Sequence, residues 1–110
     1  MRRVDEAIRE VLSDSIPKEI QDPRLGFVTV TGVETSADLR HARVFVSVLG
    51  DDEEREQSLS TLQTSHGRLQ KAIATQLRMK NTPELEFHYD TSIDRAWRVE
   101  EILEHEEEEQ

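Results

Sequence analysis

The 110-residue chain contains no cysteine, which excludes disulfide frameworks, thiolate zinc sites and thiol catalysis. It also has no run of about 18 consecutive apolar residues, the length expected of a transmembrane helix. Its first residues, MRRVDEAIREVL, mix arginines with acids and contain no unbroken apolar stretch, so they do not resemble a secretory signal. These absences predict one soluble domain in the cytoplasm, with no membrane partner.

The sequence also lacks a recognisable catalytic or metal-binding constellation. Its histidines are scattered, with no pair at ligand spacing on a common predicted helix, and there is no glycine-rich phosphate loop of either common pattern. The histidines are His41, His66, His88 and His105. Most carboxylates stand in runs that are typical of solvated surface. We therefore predict that the protein is not an enzyme and uses neither a metal nor another cofactor.

Negative charge dominates the composition but is unevenly distributed. The formal net charge is -10, and six of the last ten residues are acids without one Lys or Arg among them. Residues 57–83, by contrast, contain no acid and carry four bases, Arg68, Lys71, Arg78 and Lys80. Bases in this pattern are typical either of a solvated helix face or of contacts with an anion such as nucleic-acid phosphate.

Residues 25–50 show the two-residue alternation of a β-hairpin. The core face of its second strand consists of Ala42, Val44, Val46 and Val48. In its first strand Val30 and Val33 are three residues apart, so in a regular strand they would point to opposite faces. We therefore predict a bulge at Gly32 that returns Val33 to the core. A third strand in the same sheet is predicted by Leu85, Phe87 and Tyr89, which alternate with polar residues.

The first helix is predicted from about Arg3, where apolar residues recur every three or four positions and would cover the sheet. Pro17 lacks an amide donor and disfavours a helical conformation at the residue before it. We therefore expect a break or kink between Leu12 and Pro17. At the other end of the chain, a last helix and a fraying acidic tail are expected over residues 93–110, which leaves residues 3–92 as the main folded domain.

A kinked pair of helices is predicted between the second and third strands. Asp51 begins an acidic stretch that suits a helix start. An apolar stripe then passes through residues 65–67, Ser-His-Gly, where a glycine inside a helix costs about 1 kcal/mol relative to alanine. A bend at this triplet is therefore expected. The pair should end with Arg78 and Lys80 in its last turn.

The bend itself has two interpretations from the residues alone. A helix that restarts at Gly67 offers free backbone amides, the positive end of its dipole and a surface without a Cβ, beside Arg68 and Lys71. These features predict a phosphate site. Alternatively, Gly67 only lets the two helices cross at an angle that suits the sheet.

Four signatures of the sequence together resemble the ribosome-binding factor A family, and the order of elements resembles a type II KH domain. They are residues 22–26 (DPRLG) leading into 28–30 (VTV), residues 33–42 (VETSADLRHA), residues 83–87 (PELEF) with 89–93 (YDTSI), and the spacing of Gly67. They cover nearly the whole chain. In that family the Gly-x-x-Gly loop of KH domains is replaced by a kink with a small residue, any residue and glycine. Here Ser65 stands where alanine is usual.

The resemblance implies an α+β fold of type II KH-like order, α-β-β-α-kink-α-β, with a three-stranded sheet covered on one face by helices. It implies a non-enzymatic assembly factor, monomeric when free. This factor would bind the immature small (30S) ribosomal subunit and its 16S rRNA near the decoding region, to assist late maturation and rRNA processing. The expected RNA-binding residues are Ser65, His66, Gly67, Arg68, Lys71, Arg78, Lys80 and Arg43. The alternative is a protein-interaction module of the same fold that acts through its acidic surface.

Overall fold

A computed structural model describes residues 2–92 of the chain. The elements are α1 (Arg2–Glu19), β1 (Val28–Thr35), β2 (His41–Val48), α2 (Asp52–Thr64), α3 (His66–Leu77) and β3 (Glu84–Tyr89). This order confirms the predicted α+β fold with type II KH-like order. The helix and tail predicted over residues 93–110 lie outside the described residues, so the domain boundary at residue 92 stays a prediction.

The sheet has the strand order β1-β2-β3. β1 and β2 pair antiparallel, as expected of a hairpin, whereas β2 and β3 pair parallel. Val44 of β2 accordingly lies between Val33 of β1 and Phe87 of β3. A parallel pair needs a long crossover connection, and α2 and α3 supply it. The predicted third strand is confirmed, and it lies beside β2.

The core lies between the helices and one face of the sheet. Alternate strand residues point to it, as the two-residue period predicts. The core includes Ala42, Val44, Val46 and Val48 from β2, and Ile8, Leu12, Leu62, Leu69 and Ile73 from the three helices. The other face of the sheet carries the intervening, more polar side chains. None of the helices within residues 2–92 is long and apolar enough to cross a membrane.

The bulge predicted in β1 is confirmed. Val30 pairs with Val46 and Gly32 pairs with Phe45, so Thr31 is the additional residue of the bulged strand. Val33 is thereby returned to the core side and is buried. The Thr31 hydroxyl lies 2.6 Å from a carboxylate oxygen of Asp90, which ties the bulge to the residue after β3.

The break predicted in α1 is wrong, because the helix continues through Pro17 to Glu19. Proline removes one backbone hydrogen bond, the one to the carbonyl of Ser13, and it does so in the last turn of the helix. Ile16 and Ile20 on either side of Pro17 are buried, and the Ile20 N–H still donates to the Ile16 carbonyl at 3.1 Å. Burial of these two side chains outweighs the missing hydrogen bond.

The kinked helix pair is confirmed. Asp51 caps α2 by accepting a hydrogen bond from the Glu54 N–H at 2.8 Å. Only Ser65, with φ -93° and ψ 8°, separates α2 from α3. The second helix therefore restarts at His66, one residue earlier than predicted.

The predicted end of α3 is wrong by a few residues. The helix ends at Leu77, and Arg78 follows in a left-handed conformation with φ 51° and ψ 39°. Arg78 and Lys80 therefore lie beyond the last turn rather than in it. The reversal at Arg78 brings Met79 against the core and leads to the buried Pro83, and this packing ends the helix early.

Candidate functional site

The kink between α2 and α3 presents the start of a helix that has no side-chain cap. Ser65 makes no capping hydrogen bond through its side chain, and the first turn of α3 contains no acid. The amides of His66 and Gly67 are the first two of α3, so they have no acceptor within that helix. The positive end of the α3 dipole therefore meets no compensating acid from its own first turn.

The surface at Gly67 is open. A Cβ atom built at this glycine would meet no heavy atom within 4 Å, and its φ is not positive. Neither the contact between the helices nor the backbone conformation therefore requires glycine here. This geometry argues against the interpretation in which Gly67 serves only to let the helices cross. What the glycine provides is a backbone that another molecule can approach closely.

A groove of about 1000 Å³ runs beside the kink. One wall is formed by residues 18–24, the end of α1 and the loop after it, and the other by Ser65, Gly67 and Arg68. The Arg68 guanidinium lies 3.4 Å from the Glu19 carbonyl across the groove. Arg24 is engaged by Asp22 at 3.1 Å, and its hydrogen bonds hold the pKa of the Asp22 carboxyl below its ordinary value.

The kink is fixed to the sheet by Gln63, in the last turn of α2. Its side-chain amide donates to the Leu85 carbonyl and accepts from the Phe87 N–H, both at 3.2 Å. The His66 ring places Nδ1 2.7 Å from the Gln63 carbonyl oxygen. Because β3 belongs to the core, these contacts give the start of α3 a defined position above the groove.

Ion pairing divides the bases of this acidic protein into two groups. Outside the acid-free segment, residues 57–83, five bases of the part that the structure describes are engaged by carboxylates, namely Arg9, Lys18, Arg24, Arg43 and Arg55. The bases of the acid-free segment have no carboxylate within 4.0 Å among the described residues, and they are Arg68, Lys71, Arg78 and Lys80. These four cations are exposed and remain available to an external anion.

The predicted site residues do not form one cluster. Ser65, Gly67 and Arg68 line the groove, and Lys71 shares an adjoining depression with Arg68. Arg78 lies at the other end of α3, about 16 Å from Gly67 at 1.5 Å of rise per residue. Lys80 is two residues further on. These four bases therefore lie in two regions, one at each end of α3, and their role in RNA binding stays a prediction.

Arg43 lies elsewhere. It is on the face of the sheet opposite the helices, where its guanidinium contacts Glu34 at 2.9 Å and its strand neighbour on the other side is Glu86. The structure does not bring Arg43 to the kink. One base missed from the sequence is Arg40, which shares a depression with Lys80. It stands in the hairpin turn, 40 positions before Lys80, and no local pattern marks it.

Comparisons with known proteins agree on one family. The model of the family described as ribosome-binding factor A matches residues 1–103. A protein of that name from Desulforamulus reducens is 46% identical over 101 residues, which cover 92% of this chain and 84% of its own length.

A crystal structure and a homology model fitted into a cryo-EM map share the fold. The crystal structure of ribosome-binding factor A from Thermus thermophilus is 30% identical, with a TM-score of 0.72, and the match covers 80% of this chain and 92% of that one. A homology model of the same Thermus thermophilus protein, fitted into a cryo-EM map of its complex with the 30S subunit, matches with a TM-score of 0.67 at 30% identity. That match covers 79% of this chain and 91% of the other.

Proposed function

Because this chain belongs to the ribosome-binding factor A family, we propose that it is a non-enzymatic assembly factor for the small ribosomal subunit. It binds the immature 30S subunit and its 16S rRNA in the cytoplasm, as a monomer when free, and assists late maturation and rRNA processing. Support comes from the Thermus thermophilus relative, whose model was fitted into the map of a 30S complex. Its mode of action is to hold an RNA conformation.

The observation that carries the RNA part of this proposal is the set of unpaired cations beside an open helix start. Arg68 and Lys71 have no carboxylate partner within the described residues, and they flank backbone amides that Gly67 leaves accessible. Phosphate oxygens accept hydrogen bonds from such amides and are attracted by both the helix dipole and the cations. An isolated phosphate group at this place would therefore be bound by charge and by hydrogen bonds together.

A second candidate function is binding of a basic protein, and the open face of the sheet favours it. Glu34, Glu84 and Glu86 are exposed there, against one arginine, Arg43. Arg43 is already engaged by Glu34, so the face carries a net negative charge. Such a face would repel RNA and attract a protein segment rich in lysine and arginine.

Salt titration of binding tests the RNA proposal. Arg68→Ala and Lys71→Ala should each weaken binding to small-subunit RNA and to immature subunits. Each should also flatten the log-log slope of affinity against salt by about 0.7–0.9 unit for every phosphate that the variant no longer neutralises. Arg9→Ala is the matched control, because it removes the same charge from a base that Glu6 already engages at 2.9 Å.

The outcomes separate the two candidate functions. Loss of RNA binding in the α3 variants, with Arg9→Ala unchanged, supports RNA contact at the kink. If Arg9→Ala matched Arg68→Ala in both affinity and slope, the kink would not be the RNA site. If the α3 variants bound subunits normally while Glu34→Gln with Glu86→Gln did not, the acidic sheet face would be the interface instead.

A further inference from the structure

We propose, on the basis of the function proposed above, that a second RNA contact lies at the far end of α3. Arg40, Arg78 and Lys80 form it, and the exposed face of α3 links it to the kink. The RNA backbone then runs along the length of this helix and is held at both ends.

The far-end contact is built from two separate parts of the chain. A depression of about 690 Å³ lies between the hairpin turn, with Leu39 and Arg40, and the loop after α3, with Met79 and Lys80. The Glu84 N–H donates to the Arg40 carbonyl at 2.8 Å and joins the two parts. Arg78 immediately precedes the loop. Arg40 and Lys80 therefore line one concave surface from two segments, and Arg78 lies two residues before Lys80.

Positive charge predominates in this region but is partly offset, because Asp38 also lines the depression and its carboxylate is attracted to Arg40. Neither Arg40 nor Arg78 nor Lys80 has a carboxylate within 4.0 Å in the part of the chain that the structure describes. The nearby Asp38 carboxylate accepts hydrogen bonds from the Ser36 hydroxyl and the Arg40 N–H, at 2.6 and 3.1 Å. The guanidinium and ammonium groups therefore stay available to an anion.

The backbone around the depression is held in an uncommon conformation. Leu39 and Arg78, with φ 59° and 51°, are the non-glycine residues at positive φ within residues 2–92. Glycine or asparagine is favoured in this left-handed region, above all directly after a helix. Residues held there cluster at functional sites, where the side chain or its direction is needed. At position 78 the protein keeps an arginine where glycine would suit the backbone better.

The face of α3 between the two ends suits a polyanion. Arg68, Lys71 and Thr75 are exposed, and their spacing of three and four residues places them on one face of the helix. Arg78 follows directly after the end of the helix, in a left-handed conformation. The helical stripe from Arg68 to Thr75 extends about 10 Å at 1.5 Å per residue. Its spaced cations match the repeated phosphates of an RNA strand better than a single small anion.

The test compares a far-end variant with a kink variant. The far-end variant combines Arg40→Gln, Arg78→Gly and Lys80→Gln, and the kink variant combines Arg68→Gln and Lys71→Gln. Both are titrated with salt against 16S rRNA and against immature subunits, with Arg9→Gln as the charge control. The far-end variant should flatten the log-log slope of affinity against salt by about 2 units, for three phosphates at about 0.7 each. Arg78→Gly places glycine where the backbone is left-handed, so the melting temperature of the far-end variant should not fall.

Three results are decisive. Weaker binding of both RNA and subunits by the far-end variant, with Arg9→Gln unchanged, supports the second contact. Normal binding by the far-end variant, together with weak binding by the kink variant, overturns the second contact and leaves the proposed function standing. Weak subunit binding with normal affinity for RNA alone overturns RNA as the partner and assigns the far end to a ribosomal protein. A charge-only variant, Arg40→Gln with Lys80→Gln, repeats the comparison without altering the backbone at position 78.

Discussion

Replacing Gly67 by alanine should raise stability and lower binding at the same time. A Cβ at this position meets no heavy atom within 4 Å, and the backbone is not in the left-handed region. Alanine then acts by reducing the conformational freedom of the unfolded chain, which stabilises a protein by about 0.4–1 kcal/mol. For a domain of this size the gain corresponds to about 2–5 °C in melting temperature.

Binding of Gly67→Ala to immature small subunits should, by contrast, become weaker. The added methyl group projects into the open surface beside the amides of His66 and Gly67, where close approach of a phosphate is proposed. Gly67→Val adds a larger, branched side chain at the same place and should weaken binding more than Gly67→Ala. Far-ultraviolet dichroism during heating measures stability, and co-sedimentation with immature small subunits measures binding.

Gly26 provides the contrasting glycine. Its Cβ would lie 3.3 Å from the Ser58 hydroxyl, which is buried and accepts a hydrogen bond from the Gly26 N–H at 2.9 Å. Gly26→Ala should therefore lower the melting temperature while leaving binding normal below the transition. Normal binding by a stabilised Gly67→Ala protein would refute the phosphate contact. A destabilised Gly67→Ala protein would refute the open geometry of the kink.

Three further predictions concern the fold. Pro17→Ala should raise the melting temperature, because it restores an N–H donor to the Ser13 carbonyl in the last turn of α1. Deleting residues 105–110 should lower it by less than about 4 °C, because this segment has no apolar residue to bury. The hydroxyl of Ser92, then that of Thr31, holds the pKa of Asp90 below its ordinary value, so the carboxylate form favours folding. The resulting stabilisation is present above the ordinary pKa and disappears as pH falls through the lowered one; Asp90→Asn should thus melt lower at pH 7 and converge with the natural protein in acid. Melting curves over a pH series would contradict this if the difference between the two proteins did not depend on pH.

The sheet could be predicted from the sequence because its signal is local. Alternation in β2 is uninterrupted, and the parity change at Val33 requires an additional residue at just the place where Gly32 weakens the strand. The cap at Asp51 and the bend at residues 65–67 are equally local, since each depends on residues within one turn. Residue patterns alone therefore suffice to predict these features.

The wrong predictions concern places where tertiary packing determines the local structure. Pro17 is a strong local signal for a break, but burial of Ile16 and Ile20 keeps the helix intact. Arg78 has a good helical propensity, yet packing of Met79 ends α3 before it. Arg55 looks like an ordinary surface base among acids, but its guanidinium lies 4.7 Å from the centre of the Tyr89 ring.

The geometry of the candidate site could be predicted only in part, for a similar reason. The kink residues are consecutive, so Ser65, Gly67 and Arg68 fall together whatever the rest of the fold does. Arg40 and Lys80 come together only because β2 and β3 are parallel neighbours and the turns at their ends adjoin. The spacing of Arg40 and Lys80 in the sequence does not indicate that they lie close together.

The hydrogen bonds of Gln63 have a consequence for the sheet as a whole. The N–H groups of Glu84 and Asp90 donate to Arg40 and Val46, toward the β1-β2 hairpin. Backbone groups of alternate residues in a strand point to opposite edges, so those of Leu85 and Phe87 face the outer edge of β3. An outer edge with free donors and acceptors is a template on which another chain can add a strand and begin to aggregate. One glutamine amide occupies the Leu85 carbonyl and the Phe87 N–H, as the backbone of a neighbouring strand would. A strand from another chain could pair with these two groups only by first displacing the Gln63 side chain.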